Sequence, residues 1–428
     1  MTDVIKNGTG VGNAASNLRI ASQRRSLVQG LQQELDVLGQ KHLLRQRRTV
    51  ETPSAPSLRA DGRDLLAFCS NDYLGLAAHP KLAEALQEGA ALYGVGSGAS
   101  HLISGHSRAH AVLEDRLAEF VSPYIENARA LYFCTGYMAN LAVITALAIN
   151  KDTTVFSEAL NHASLIDGAR LSRATVQVFP HRDYAVLERM LQQCKTKHRV
   201  VITDSVFSMD GNIAELAPLL AICERYDAWL IVDDAHGFGV LGEHGRGVLE
   251  HLQISSPNLV YMGTLGKAAG VGGAFVAADA TVIEWLVQRA RAYIYTTAAA
   301  PALAHALLTS IDIIAGEEGR QRRAHLQKLI ALFRNGLHLQ VWQGMPSDTA
   351  IQPVVIGDNA DMLRAAGNLM DQGLWVGAIR PPTVPPGTAR LRVTLSAAHT
   401  EVQVLQLVQA INRLDQMSYV AQCFAEVA

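Results

Sequence analysis

Residues 261–273 read YMGTLGKAAGVGG, which sets one lysine, Lys267, among glycine and alanine at the end of an apolar run. Such a lysine meets a phosphate, serves as a nucleophile kept dry, or sits in a surface loop. The apolar segment WLIVDDAHG ends in Asp233 and Asp234 with His236 just beyond, so two carboxylates and an imidazole stand where a buried strand meets a crevice. Another imidazole, His162, lies in SEALNHASL, and CTGYMANLAVITAL reads as a helix whose start offers free backbone donors.

A nucleotide-binding P-loop fails on spacing. Only two residues separate Gly263 from Gly266, and Ala268 stands where a magnesium-binding Ser or Thr is required. A metal site built from Asp233, Asp234, His236 and His162 has no HExxH, HxH or His/Cys cluster behind it, so no metal is expected. The third reading accounts for more residues. A lysine desolvated in a glycine-lined apolar pocket loses its proton more readily and forms a Schiff base with an aldehyde cofactor. Pyridoxal 5'-phosphate (PLP) then needs an acid for its ring nitrogen, a donor for its phenolic oxygen, a flat group over its ring and backbone donors at a helix start for its phosphate. Asp233, His236, His162 and the helix start at Gly136 supply one candidate each.

These groups must be held by larger elements. With 428 residues, 49% of them hydrophobic, the chain buries a sizeable core and exceeds one ordinary domain. A formal charge of -2 with mixed signs gives no broad basic face, which argues against nucleic acid and for small-molecule substrates. Five scattered cysteines, Cys69, Cys134, Cys194, Cys223 and Cys423, form no CxxC and fit a reducing, cytoplasmic compartment. LAVITALAI falls short of the roughly 18 apolar residues that span a bilayer, so no membrane is expected.

Residues 1–26 read as a flexible leader without a secretory apolar run, and 27–65 as an N-terminal helix and strand segment. Leu31, Leu35, Leu38 and Leu43 give that helix an apolar face to pack on something larger. Strand-length apolar runs (ARALYF, TTVFS, RVVITD, DAWLIVDD, NLVYMGT, GGAFVAA) alternate with helical segments, which predicts a large domain over 66–297 with a mostly parallel sheet. IQPVVIG, LWVGAIR and ARLRVTLSA with intervening helices predict a smaller α+β domain over 298–428.

Seven segments in order carry a family resemblance: SNDYLGL, YGVGSGASHLISGHS, TGYMAN, NHASLIDGAR, TDSVFSMDGNIAEL, VDDAHGFGVLGEHGRG and GTLGKAAGVGG. Together they resemble the α-oxoamine synthases, PLP enzymes of fold type I (aspartate aminotransferase-like), over about Leu27 to Leu414. The stretch AIRPPTVPPGTARLRVTLSAAHT is most similar to the member that joins L-alanine to a pimeloyl thioester, carried on CoA or on acyl carrier protein. Sister enzymes use glycine or serine with other acyl-CoA donors and share the same cofactor constellation.

The resemblance implies residue roles. Lys267 holds PLP and moves the α-proton, Asp233 pairs with the ring nitrogen, Ser208 and His236 reach the phenolic oxygen, and His162 covers one ring face with Ala235 on the other. Gly136, Tyr137 and Thr264 take the phosphate, joined by Thr296 and Thr297 from the neighbouring subunit of a homodimer. Arg380 takes the amino acid carboxylate, and Arg45, Asn71, Thr383 and Asp204 lie near the acyl substrate. Asp204 stands where many relatives carry Glu.

Overall fold

The computed structural model describes residues 11–148 and 150–427. An N-terminal helix spans Val11–Gln40. It takes in much of the stretch that reads as a flexible leader, where Ala14, Ala15, Leu18, Ala21 and Gln23 favour helix; residues 1–10 of that leader lie outside the described residues. Leu31, Leu35 and Leu38 stay exposed, so the apolar face of this helix finds no cover within one chain.

Strands β1 (Ser57–Ala60) and β2 (Arg63–Phe68) form a hairpin whose turn is Asp61–Gly62, both at positive φ as a two-residue hairpin turn requires. The large sheet follows as β3 (Ala128–Phe133), β4 (Thr153–Glu158), β5 (Thr175–Phe179), β6 (His198–Asp204), β7 (Ala228–Asp233), β8 (Leu259–Thr264) and β9 (Ala274–Asp279). Their order is β3-β9-β8-β7-β6-β4-β5. Only β9 runs against its neighbours, and the rest are parallel. β4, β7 and β8 are buried along almost their whole length, as strands covered by helices on both faces must be.

The second sheet adds β10 (Gln343–Gly344), β11 (Ile351–Gly357), β12 (Leu374–Ile379) and β13 (Ala389–Thr394), in the order β1-β2-β12-β13-β11-β10. β2 pairs parallel with β12, so residues 66–68 lie in the C-terminal sheet rather than at the start of the large one. Burial of Ala60 and Leu65 against Met370 gives the physical reason. A long helix, Pro301–Ala315, links the two parts and packs against the helices Pro80–Tyr93 and Arg108–Val121. No helix among the described residues is long and apolar enough to cross a membrane.

Candidate active site

In an open parallel sheet the ligand crevice lies beyond the carboxyl ends of the strands. Five strands deliver chemistry there. Gly136 follows β3, His162 follows β4, Asp204 ends β6, Asp233 ends β7, and Thr264 ends β8 with Lys267 just after it.

Lys267 is half-buried with its amine turned inward, and its Nζ lies 2.9 Å from His236 Nε2. Burial pushes the amine down from 10.5 to about 8; Asp233 and Asp204 oppose that fall, while the Arg392 guanidinium adds to it. The tight chain around it depends on glycine at two points. A Cβ on Gly270 would lie 2.6 Å from the Leu76 carbonyl carbon, and one on Gly273 2.5 Å from the Tyr132 ring, both at positive φ.

The structure separates the two adjacent acids. Asp234 accepts from Ser205 Oγ, from Tyr261 OH at 2.7 Å and from Val248 N at 2.8 Å, and burial raises its carboxyl to about 7. It is a structural acid under the following loop. Asp233 is held instead by Asn140 Nδ2 at 2.7 Å on Oδ2 and by Ala235 N at 2.9 Å on Oδ1. Asn140 also donates at 2.8 Å to Ser164 Oγ, which lies 2.7 Å from His162 Nδ1. His162 caps the helix Ala163–Leu171 by accepting from Ser164 N on Nδ1, which places its ring proton on Nε2. Burial lowers the basicity of His162 and, more strongly, of His236, so both rings are neutral at pH 7.

Beneath the site runs a second network. Tyr73 OH meets His236 Nδ1 at 2.5 Å and donates to Asn71 Oδ1 at 3.2 Å, which also accepts from Arg392 Nη1 at 3.3 Å. Arg392 Nε donates to the Ser208 carbonyl at 2.5 Å, and the residue is buried without an ion pair among the described residues. Asp204 accepts from His162 N at 2.6 Å, and burial together with the Asp233 charge raises its carboxyl well above the usual range. Asn140, Tyr73 and Arg392 escape a sequence reading because their partners lie far away in the chain. Asn140 and Tyr73 do sit inside TGYMAN and SNDYLGL, which is the one signal they leave.

A cradle opens where the helix Gly136–Leu147 begins. Its first N–H groups have no intrahelical partner, and a Cβ on Gly136 would point at Thr264 Oγ1 and Met262 Cε, both 3.6 Å away. Thr135 caps Met138 N from the side, which leaves Gly136 and Tyr137 facing the cradle. These parts fit PLP: an anion cradle at a helix start, an oriented carboxylate, and a buried amine with a lowered proton affinity. We expect Gly136→Val to fill the cradle and weaken PLP retention at least about 10-fold, the equivalent of about 1.4 kcal/mol of lost binding; equilibrium dialysis checks it.

The remaining expected residues donate no side-chain hydrogen bond to this cluster among the described residues. Thr297 bridges to Ser100, and its carbonyl sits 3.6 Å from Cys134 Sγ, with Thr296 beside it. Arg380 donates to the Leu44 carbonyl and feels the charge of neighbouring Arg45, while its Nε has no partner. Thr383 N donates to the Arg380 carbonyl at 3.2 Å. Tyr137 turns its hydroxyl away to Asp167.

Fold, lysine and cradle define a PLP-dependent enzyme of fold type I, and the chain belongs to the class I and II aminotransferase family, whose model matches residues 63–411. Within it the chain falls among the α-oxoamine synthases, in the 8-amino-7-oxononanoate synthase group. It is 67% identical over 390 residues to the 8-amino-7-oxononanoate synthase of Janthinobacterium sp. (strain Marseille), covering 91% of this chain and 99% of the relative. The Bordetella petrii enzyme of the same name is 66% identical over 389 residues, covering 91% and 98%. Among solved structures, 8-amino-7-oxononanoate synthase from Francisella tularensis superposes with a TM-score of 0.70 at 31% identity, over 83% of this chain and 99% of that one. Sphingomonas wittichii serine palmitoyltransferase gives 0.82 at 28%, over 91% and 97%.

The lowered proton affinity of Lys267 has a measurable consequence. Apoenzyme captures PLP through the neutral amine, so the capture rate should rise with pH through about 8 rather than 10.5. Arg392→Met removes a charge that disfavours the protonated amine, and the midpoint should move upward; stopped-flow absorbance across pH 6.5–10 measures both.

Proposed function

We propose that the chain catalyses the decarboxylative condensation of L-alanine with a pimeloyl thioester, on CoA or on acyl carrier protein, to give 8-amino-7-oxononanoate. The observation that carries this reading is the buried Lys267 amine beside Asp233, His162 and His236, in a chain two-thirds identical to synthases of that name. When bound, PLP supplies an aldehyde that joins the amino acid and a cationic ring that takes up the electron pair released at Cα.

The residues divide the remaining work. Asp233, fixed by Asn140, keeps the ring nitrogen protonated. Lys267 holds or releases a proton at Cα, which its value of about 8 allows near neutrality. His236 and Tyr73 steady the lysine through the short contacts described above, and Ser208 lies on the same side through its link to Arg392. His162, with its proton on Nε2, would cover the cofactor ring and donate to the thioester carbonyl as the new carbon–carbon bond forms and thiolate departs. Arg380 pairs with the alanine carboxylate through two parallel hydrogen bonds, releasing the Leu44 carbonyl as it does so. Loss of CO₂ and return of a proton to Cα complete the balance.

Thr296 and Thr297 are assigned to the phosphate of a neighbouring subunit in a homodimer. Exposed Leu102, Ile103 and Tyr295 beside them, and the uncovered leucines of the N-terminal helix, support that assignment. Holoenzyme given L-alanine and pimeloyl-CoA, or pimeloyl-acyl carrier protein, should yield 8-amino-7-oxononanoate by mass analysis, with one CO₂ per turnover. Product from glycine or serine but not from alanine would place the chain with a sister α-oxoamine synthase instead.

A further inference from the structure

Away from the lysine, three imidazoles converge on one point. His101 lies in the single π-helical turn His101–Gly105, His106 directly follows it, and His110 lies in the first turn of the helix Arg108–Val121. One ring nitrogen of each lies within 4.8 Å of the other two. His101 Nδ1 and His106 Nδ1 face each other at 3.0 Å, close to the separation of about 3.3 Å that two imidazoles keep on one tetrahedral cation with bonds of about 2.0 Å.

The surroundings orient these rings as outer partners orient metal-bound histidines. His110 donates Nε2–H to the Ala299 carbonyl at 2.9 Å, which leaves Nδ1 with the lone pair. That nitrogen now faces Ser107 N at 3.0 Å and Ser107 Oγ at 3.1 Å, so a cation there displaces a helix-cap contact. Glu114 Oε2 lies 3.8 Å from His106 Nε2, beyond hydrogen-bond reach, and burial raises its carboxyl to about 8. His101 is clamped against Tyr293, with ring centroids 4.6 Å apart and planes 11° from parallel. Two of the three rings are buried, while His106 reaches solvent and gives a cation its way in. Burial lowers the basicity of all three rings.

We propose that His101, His106 and His110 form a binding site for one divalent transition-metal cation of the zinc class, with water as fourth ligand. Oxygen-loving cations such as magnesium are excluded by an all-imidazole set. The site is structural. It ties the turn at 99–101 to the segment 297–299, which already meet through Ala298 N to the Ala99 carbonyl at 3.0 Å and the Ser100–Thr297 bridge. An occupied site therefore braces the segment that carries Thr296 and Thr297.

The test uses holoenzyme, in which PLP occupies Lys267, after treatment with a chelator and transfer to chelator-free buffer. Zn²⁺ titrated by calorimetry should bind at one equivalent per chain with Kd at or below roughly 1 μM, as a three-imidazole set provides. Co²⁺ should give the intense visible absorption of a tetrahedral site. His106→Gln, an exposed position that leaves the fold intact, should weaken binding at least about 100-fold. Zn²⁺ should raise the thermal midpoint of the parent and not that of His106→Gln. Absence of saturable binding, or binding unchanged in His106→Gln and in His101→Phe/His106→Gln, would overturn the proposal.

Discussion

Lys267→Ala lowers condensation by about 10⁴-fold or more and leaves PLP removable by gel filtration, with loss of its visible band from the protein fraction. Two contributions vanish together. General acid–base transfer alone supplies about 10²- to 10⁴-fold, and covalent anchoring adds to it. The variant keeps its fold, because the lysine contributes one contact, to His236, and the surrounding turn is set by Gly270 and Gly273. Product formation and absorbance after desalting check the claim. A variant that kept its band and its rate would remove Lys267 from the chemistry.

Asp233→Asn follows in size. The ring nitrogen loses a buried charged partner, and breaking such a pair costs about 3–5 kcal/mol, or roughly 10²- to 10⁴-fold in kcat. The neighbouring substitutions separate function from support. Asn140→Ala removes the bond that orients the Asp233 carboxylate, and the one to Ser164 with it, and should cost about 10- to 100-fold, in line with about 1.5–3 kcal/mol for a bond to a charged group. Asp234→Asn should spare the chemistry and lower stability by about 1–3 kcal/mol, because it strands donors from Tyr261 and Val248. Thermal denaturation beside steady-state rates distinguishes the three. Equal rate losses in Asp233→Asn and Asp234→Asn would defeat the assignment of Asp233.

Much of the large sheet is legible because a parallel strand buried on both faces must read as an unbroken apolar run. The runs ending at Phe133, Asp204, Asp233 and Thr264 are largely apolar, whereas β4 buries Thr153, Thr154, Ser157 and Glu158 around Val155 and Phe156, and the polar residues just beyond these strands fall at the crevice. β5 escapes that reading. It is a short edge strand, TVQVF, interrupted by Gln177, whose Thr175, Val176 and Val178 are exposed and only Phe179 buried, so it does not read as a strand buried on both faces. The β1–β2 hairpin is legible from Asp61–Gly62, but its sheet is not, since pairing with β12 depends on a segment some three hundred residues on.

By itself the sequence determined which residue types stand at each strand end, the glycines the lysine turn requires and the family pattern that joins them, because those follow from local spacing and burial periodicity. Tertiary structure alone supplied the physical ground for preferring Asp233, which the family pattern had singled out, over Asp234, since that ground rests on Asn140 against Ser205, Tyr261 and Val248. It also decided that Arg392 charges the lysine pocket and that three histidines meet beside Ala299. Charge and hydrogen bonding act through space, and the partners they select here are brought together only when both sheets have formed.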